Sequence, residues 1–211
     1  SLAPAGGGRL AGDPLERAAF AAVGWTLSEG RAAAPPDRGA RLAATILRRH
    51  HFSAALRRMS VVLAVDEGKG GKPRLVVAAK GAPEAVGPLL ARVPRGYAAA
   101  AAAYAARGGR VLALATRELP SDATLGSARS LPRAEAEAGL EFAGFAVLGC
   151  PLRPESRPAV SALAAAGHDV VMITGDAPLT ACHVARELGI TARRALVLGR
   201  AAGAPPPPAG G

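Results

Sequence analysis

The segment Thr174-Gly175-Asp176 has the residue types of a phosphate-binding turn. These residues offer a hydroxyl, a backbone without a side chain and a carboxylate, just before Pro178, which suits the first position of a helix. A helix N-terminus presents free N–H groups, and at the carboxyl end of a parallel sheet such groups bind phosphate. The turn is a candidate phosphate site, although any doubly wound α/β domain could end a strand in this way.

Two residues at predicted strand ends, Phe52 and Lys80, indicate nucleotide chemistry. An exposed Phe52 ring could stack on a purine, a contact of about 1 to 3 kcal/mol by analogy with base stacking. The Lys80 ammonium could reach a triphosphate as a point charge. The alternatives are a core ring for Phe52 and a solvated strand end for Lys80, and the two residues alone leave both open.

A strand and a helix must hold the turn in place. Residues 168–174 include four consecutive apolar residues, which predicts a strand covered on both faces. A helix should begin at Pro178 and end at Gly189, and residues 155–166 should form the crossover helix before the strand. One more strand could start within 191–200.

The stacking ring and the lysine require strands of their own, predicted at 46–52, 60–66 and 74–80. A helix should follow at 83–91. The glycine-rich turn before the third strand lacks the pattern G-x-x-x-x-G-K-[ST], so it is predicted to be a turn without a phosphate role.

The remaining elements complete a mixed helix and strand pattern. Asp13 is predicted as an N-cap, with Pro14 at the first helical position and Glu16 as the capping-box partner, for a helix that ends near Trp25. Further predicted elements are loops at 28–40 and 119–132, helices at 97–106 and 134–138, and strands at 110–119 and 140–148.

The charge of the chain is strongly basic but scattered. The net charge of +10 in 211 residues comes from 23 arginines and three lysines. No aromatic residues alternate with a basic stripe, so a nucleic-acid-binding module is a weaker interpretation than a small-molecule site.

The two cysteines indicate the redox compartment of the chain, and its hydropathy indicates whether it could cross a membrane. Cys150 and Cys182 lie in apolar settings without C-x-x-C spacing, which predicts buried thiols of a reducing compartment. The sequence has no run of 18 apolar residues, so we expect the chain as given to be a soluble body.

Four segments together resemble the P-type ATPases. They are GDPLE at 12–16, HHFSAALRRMSVV at 50–62, KGAPE at 80–84 and MITGDAPLTACHVA at 172–185. The residues that follow TGD, and the segment CPL that begins at Cys150, look most like those of the type V P-type ATPases, subfamily A. The resemblance extends over most of the chain.

The resemblance implies two domains. The first is an α+β nucleotide-binding domain at 12–149, an antiparallel sheet with flanking helices. The second is part of an α/β haloacid-dehalogenase-like phosphorylation domain at 150–200. Residues 1–11 are expected to be disordered and 201–211 to be a low-complexity tail. The alternative is a chain that does not fold beyond residue 149.

The resemblance also implies nucleotide-binding roles. Glu16 would face adenine, Phe52 would stack on it, and Lys80 and Arg110 would approach the phosphates. Glu16 could equally act only as a helix cap, and Arg110 could cap a helix or face water. The implied cofactor-binding set is Glu16, Phe52, Lys80, Arg110, Thr174, Gly175 and Asp176. Ala177 stands where the family commonly has Asn. Ala in place of Asn at a helix N-cap lowers the stability of the helix by about 0.5 to 2 kcal/mol.

Two motifs of the family do not occur in the sequence: the phosphorylated Asp-Lys-Thr-Gly-Thr and the magnesium-holding Gly-Asp-Gly-x-Asn-Asp. We expect them before residue 1 and after residue 211. The resemblance therefore implies ATP as the ligand and Mg²⁺ held mostly by residues outside this chain. With no catalytic or metal residue of its own, the chain would not complete phosphoryl transfer.

For the full protein the resemblance implies a translocase of the endoplasmic-reticulum membrane that extracts mis-inserted transmembrane helices, with this part facing the cytosol. The implied partners are ATP, a membrane domain and transmembrane-helix substrates, with no nucleic acid and a monomeric state. The alternatives are a type VB polyamine or cation pump, a phosphatase, whose Asp-x-Asp motif is absent, and a basic nucleic-acid-binding module.

Overall fold

The computed structural model of the chain describes residues 3–5, 9–28, 31–33, 42–68 and 70–197. The chain divides into two compact units. Unit 1 comprises Ser1–Ala101 and Val111–Leu148, and unit 2 comprises Ala102–Arg110 and Gly149–Gly211. The division after Leu148 falls beside the boundary expected at 149–151.

A seven-stranded sheet is the centre of unit 1. Its seven strands follow chain order in space, and the first five of the neighbouring pairs are antiparallel. The strands are β3 (Thr26–Ser28), β4 (Arg31–Ala33), β5 (Ala43–Ser53), β6 (Arg58–Asp66), β7 (Arg74–Gly81), β8 (Arg110–Glu118) and β9 (Glu141–Leu148). The strands predicted at 46–52, 60–66, 74–80, 110–119 and 140–148 are confirmed, as is the antiparallel sheet of the predicted nucleotide-binding domain.

The two faces of the sheet differ because side chains alternate along each strand. On β7, Leu75, Val77 and Ala79 are buried in the core, while the residues between them are only partly covered. Small aliphatic side chains fill much of this core, as expected for a chain with seven aromatic residues. An aromatic group joins it where Tyr97 packs on Phe142 and Phe145, at ring-centroid distances of 5.1 and 5.0 Å.

Helices flank the sheet. They are α1 (Pro14–Val23), α2 (Pro83–Val86), which continues as a 3₁₀ turn at Gly87–Leu89, α3 (Tyr97–Ala106), α4 (Leu125–Ser130) and α5 (Arg133–Ala136). The prediction of a loop at 119–132 was wrong at α4. There the side chains of Thr124 and Ser127 form a reciprocal capping box, which offsets the weak apolar pattern of the helix.

The first residues also differ from expectation. Strand β1 (Ala3–Ala5) pairs antiparallel with β2 (Arg9–Ala11), where disorder was expected, and β3 and β4 replace parts of the predicted loop at 28–40. Composition reports on side-chain burial, whereas these short ladders are held by backbone hydrogen bonds that any small residue can make. Residues 29, 30 and 34–40 of that loop lie outside the described residues.

Unit 2 contains α6 (Ser156–Ala165) and α7 (Pro178–Leu188), which contact each other. Helix α7 ends at Gly189, whose φ of 78° is the left-handed conformation expected of the predicted C′ glycine. The predicted thiol burial was wrong for Cys150, which is exposed, while Cys182 is half-buried.

The predicted buried strand at 168–174 is not a strand in the structure. Val171 and Ile173 are 79% and 95% exposed. A strand of a parallel sheet needs neighbours on both sides, and none of the described residues pairs with this segment. Residues 191–197 likewise form no strand, and residues 198–211 lie outside the described part of the chain. The haloacid-dehalogenase-like sheet thus remains a prediction.

Candidate functional site

A cavity of about 520 Å³ in unit 1 is the candidate site. It lies between α1, β3 and β4 and the adjacent face of β5 to β8, and its size is typical of small-molecule pockets. Most of its wall is apolar, from Phe20, Val23, Leu27, Ile46, Met59, Val61 and Leu114, with polar residues Glu16, Arg49, Ser60, Lys80 and Thr116.

Helix α1 contributes one face to the cavity. Glu16, Ala19, Phe20 and Val23 all line it, and their spacing of three and four residues places them on one side of a helix. The predicted cap fixes where this face begins, because the Glu16 backbone N–H donates to Asp13 Oδ1 at 3.3 Å. Phe20 and Val23 escaped the sequence analysis, although the same spacing from Glu16 could have identified them.

Strands β6 and β7 form the floor of the cavity. Met59 pairs with Lys80 across the two strands, and Val61 pairs with Ala78. All four residues line the cavity, as the alternation of side chains along paired strands requires. Met59 was missed in the sequence, yet it lies opposite the lysine that was found.

The structure brings Glu16 and Lys80 together. Lys80 Nζ donates to Glu16 Oε1 at 2.6 Å, and the Lys80 and Glu16 side chains are 34% and 16% exposed. Burial alone would raise the pKa of Glu16, but the hydrogen bond and the charge of Lys80 contribute to a net lowering. Glu16 is therefore an anion at neutral pH, and it faces the cavity beside a cation.

Phe52 is exposed and does not line the cavity. Its side chain is 64% exposed, so it is not the core ring considered as the alternative. Phe52 lies in an irregular stretch of β5 between His50 and Ser53, and Ser53 pairs with Arg58. Because Arg58 adjoins Met59, which pairs with Lys80, the Phe52 backbone lies at the same end of the sheet as Lys80.

The other predicted site residues meet in unit 2. Arg110 Nη1 lies 3.9 Å from Asp176 Oδ1. The Asp176 backbone N–H donates to Thr174 Oγ1 at 3.1 Å, which orders the Thr174-Gly175-Asp176 turn. Ala177 precedes α7 without any side-chain cap. The turn thus places one hydroxyl, one carboxylate and one guanidinium close together at the start of α7.

Among the described residues, no group of three or more His, Cys, Asp or Glu could hold a metal ion. In that part of the chain no helix has the length and apolarity needed to cross a membrane.

The chain is similar to large ATPases. It is 42% identical over 192 residues to a probable manganese-transporting ATPase, PDR2, of Arabidopsis thaliana, covering 91% of this chain and 16% of that protein. It is 41% identical to the endoplasmic reticulum transmembrane helix translocase spfA of Aspergillus fumigatus, covering 90% and 16%. For the endoplasmic reticulum transmembrane helix translocase of Saccharomyces cerevisiae the values are 36%, 92% and 15%.

Proteins named polyamine-transporting ATPases match more weakly, and no protein-family model matches the chain. The chain spans about one sixth of the length of these relatives. The resemblance predicted from the four motifs is confirmed, since the relatives align over about nine tenths of the chain. The chain therefore belongs, as a homologous segment, to the type V P-type ATPases.

Proposed function

We propose that unit 1 binds ATP in the cavity beneath α1. The observation that carries this proposal is the Glu16–Lys80 ion pair in the wall of an otherwise apolar cavity of about 520 Å³. Apolar walls suit a base, and an ammonium suits a phosphate group. The homology to ATPases supports the same choice of ligand.

Lys80 and Glu16 keep compatible roles in this proposal. A lysine ammonium carries three donors, so Lys80 can hold Glu16 and a phosphate oxygen at the same time. Glu16 accepts from the edge of the adenine, whose exocyclic amino group is a donor. Phe52 is the proposed stacking residue at the margin of the site, because its exposed ring lies at the Lys80 end of the sheet.

Unit 2 has a proposed role that depends on the rest of a longer protein. Residues 168–174 form a strand of a parallel, haloacid-dehalogenase-like sheet once neighbouring strands cover Val171 and Ile173, whose exposure supports this assignment. Thr174, Gly175 and Asp176 then contribute to a phosphate site at the start of α7. Arg110, already beside Asp176, is the proposed partner of phosphate groups, which a guanidinium binds well.

For the longer protein we propose ATP hydrolysis coupled to the extraction of transmembrane helices at the endoplasmic reticulum, with this segment facing the cytosol. Relatives named endoplasmic reticulum transmembrane helix translocases support that cargo. A polyamine or cation cargo is the second candidate, supported by the names of other relatives. Mg²⁺ ligands and the phosphorylated aspartate belong to other segments of that protein.

A ligand panel tests the proposal for this segment. Calorimetric titration of the chain with ATP, adenosine, tripolyphosphate and duplex DNA should give the tightest saturable binding with ATP, because only ATP uses the apolar wall and Lys80 together. Binding of DNA with a steep loss as salt rises, and no preference for ATP over tripolyphosphate, would instead indicate a general polyanion surface.

The longer protein tests the cargo. Phosphate release by the membrane-reconstituted full-length protein should be stimulated by a peptide with a single hydrophobic helix. Stimulation by spermine but not by the helical peptide would favour the polyamine alternative, and stimulation by Mn²⁺ alone would favour a cation pump.

A further inference from the structure

A buried carboxylate, Glu137, lies behind the floor of the cavity. Its side chain is 2% exposed. Glu137 Oε2 accepts from Arg58 Nε at 2.6 Å, and Glu137 Oε1 accepts from Ser60 Oγ at 2.9 Å and from Arg133 Nε at 2.9 Å. A buried carboxylate with three donors is held in one geometry, because losing any donor leaves charge unpaired in a poorly solvated place.

Two of these donors flank a residue of the cavity floor. Arg58 and Ser60 stand immediately before and after Met59 on β6. Since successive side chains of a strand point to opposite faces, Glu137 holds Arg58 and Ser60 on one face while Met59 points into the cavity on the other. The position of Met59 is thus set by bonds made on the opposite side of the sheet.

The same contacts reach Lys80 through the neighbouring strand. Met59 pairs with Lys80, and Arg58 pairs with Gly81. A Cβ on Gly81 would lie 2.6 Å from Arg58 Cβ and 2.7 Å from the Arg57 carbonyl oxygen. Strand β7 therefore packs tightly against Arg58, so a shift of Arg58 would also displace Gly81 and Lys80.

We propose that Glu137 is a positioning residue for the nucleotide site, which it serves by fixing Met59 and Lys80 through Arg58, Ser60 and Gly81. The inference rests on the proposed function for its ligand. Glu137 touches no ligand itself. The three hydrogen bonds that the buried Glu137 carboxylate accepts fix the position of Met59 in the cavity floor and of the Lys80 ammonium in the cavity wall.

Methionine methyl spectroscopy offers a direct test, because the chain has two methionines, Met59 in the cavity floor and Met172 in unit 2. With ¹³C-methyl methionine the unliganded chain should give one signal for each. Glu137→Gln should shift the Met59 signal, leave the Met172 signal in place and weaken ATP binding about threefold or more.

Two further variants complete the test. Arg133→Gln removes one of the three donors, on α5 and outside the cavity lining, and should give a smaller shift of the Met59 signal in the same direction; it also decides the matter if Glu137→Gln does not fold. Glu135→Gln removes the same charge from an exposed neighbour on α5 and should change neither Met59 nor ATP affinity. If Glu137 has only a structural role, Glu137→Gln should lower the unfolding temperature without shifting the Met59 signal of the folded protein.

The outcomes separate the two claims. Folded Glu137→Gln and Arg133→Gln proteins with unmoved Met59 signals and wild-type ATP affinity would overturn the positioning role while leaving the ATP site intact. If ATP does not bind to the wild-type chain or perturb its Met59 signal, the proposed function fails. The shift of Met59 in the unliganded variants would then still decide whether Glu137 sets the cavity floor.

Discussion

Lys80 Nζ lies 2.6 Å from Glu16 Oε1, so an ion pair joins β7 to α1 across 64 residues of sequence. The pair holds the first helix over the sheet and places both charges in the cavity wall. A ligand that draws on Lys80 therefore also acts on the position of α1. The docking of α1 and the occupancy of the cavity should be coupled.

Replacing the exposed ring of Phe52 separates binding from folding. Phe52→Ala should change the free energy of unfolding by less than about 0.5 kcal/mol, as is usual at exposed positions. It should weaken adenosine and ATP alike, by about 1 to 3 kcal/mol if the ring stacks on the base. Titration of both ligands, with Phe52→Trp as the stacking-competent control, measures this. Unchanged adenosine affinity in Phe52→Ala would place Phe52 outside the site.

Acid should weaken unit 1 through Glu137. Burial alone would raise the pKa of Glu137, but hydrogen bonds from Arg58, Arg133 and Ser60 lower it below its usual value of 4.5. The stabilisation is therefore complete above the unfolded-state pKa and is lost as the pH falls through the lower folded-state pKa. Chemical denaturation of the wild-type chain should show the free energy of unfolding falling below about pH 5.

Glu137→Gln should flatten that acid slope and reduce stability at neutral pH by up to about 3 kcal/mol, since it leaves two guanidinium groups without their anion. Glu84→Gln is the matched control, because Glu84 pairs with Arg57 in an exposed bridge of little energetic value. An unchanged slope in Glu137→Gln would show that other carboxylates dominate the acid response.

A methyl group at Gly81 should be poorly tolerated. Gly81→Ala places its Cβ 2.7 Å from the Arg57 carbonyl oxygen, so β6 and β7 must move apart, at a cost of about 1 to 3 kcal/mol. Gly71→Ala is the control, since a Cβ there meets nothing within 4 Å. Thermal unfolding should show a lower midpoint for Gly81→Ala only, and equal midpoints would indicate that the strands accommodate the methyl.

An asparagine at Ala177 should stabilise α7. Ala177 precedes the helix with extended backbone angles, φ −58° and ψ 141°, and without a side-chain bond to the first turn. Ala177→Asn supplies an acceptor for a free N–H there and should contribute about 1 kcal/mol. Circular dichroism during thermal unfolding measures the gain, and Ala177→Leu, which cannot cap, should show none. Equal midpoints for the two variants would argue against a vacant cap.

Long periodic segments of this fold could be predicted from sequence. Strands β5 to β9 and the helix Tyr97–Ala106 have enough consecutive apolar or alanine positions for one interpretation to prevail. Strands β1 to β4 and helix α4 lack that pattern, since backbone ladders and the Thr124–Ser127 box hold them. The strand predicted at 168–174 shows the converse: apolar periodicity marks a strand, but pairing requires neighbours.

The candidate site shows the same limit. Motif order identified Glu16 and Lys80 separately, and no local signal could show that residues 64 positions apart form an ion pair. That contact depends on how α1 lies over the sheet. Met59 became recognisable only once strand register placed it opposite Lys80.

Calorimetric titration of ATP into the wild-type chain, Lys80→Ala and Lys72→Ala will show whether Lys80 serves an ATP site in unit 1. Lys72 is a matched cation on the same unit, where its ammonium donates to the carbonyl groups of Ser121 and Ala123 away from the cavity. We expect saturable binding that Lys80→Ala weakens about tenfold or more and Lys72→Ala leaves unchanged. Equal effects of the two substitutions, or no binding by the folded wild-type chain, would contradict this expectation.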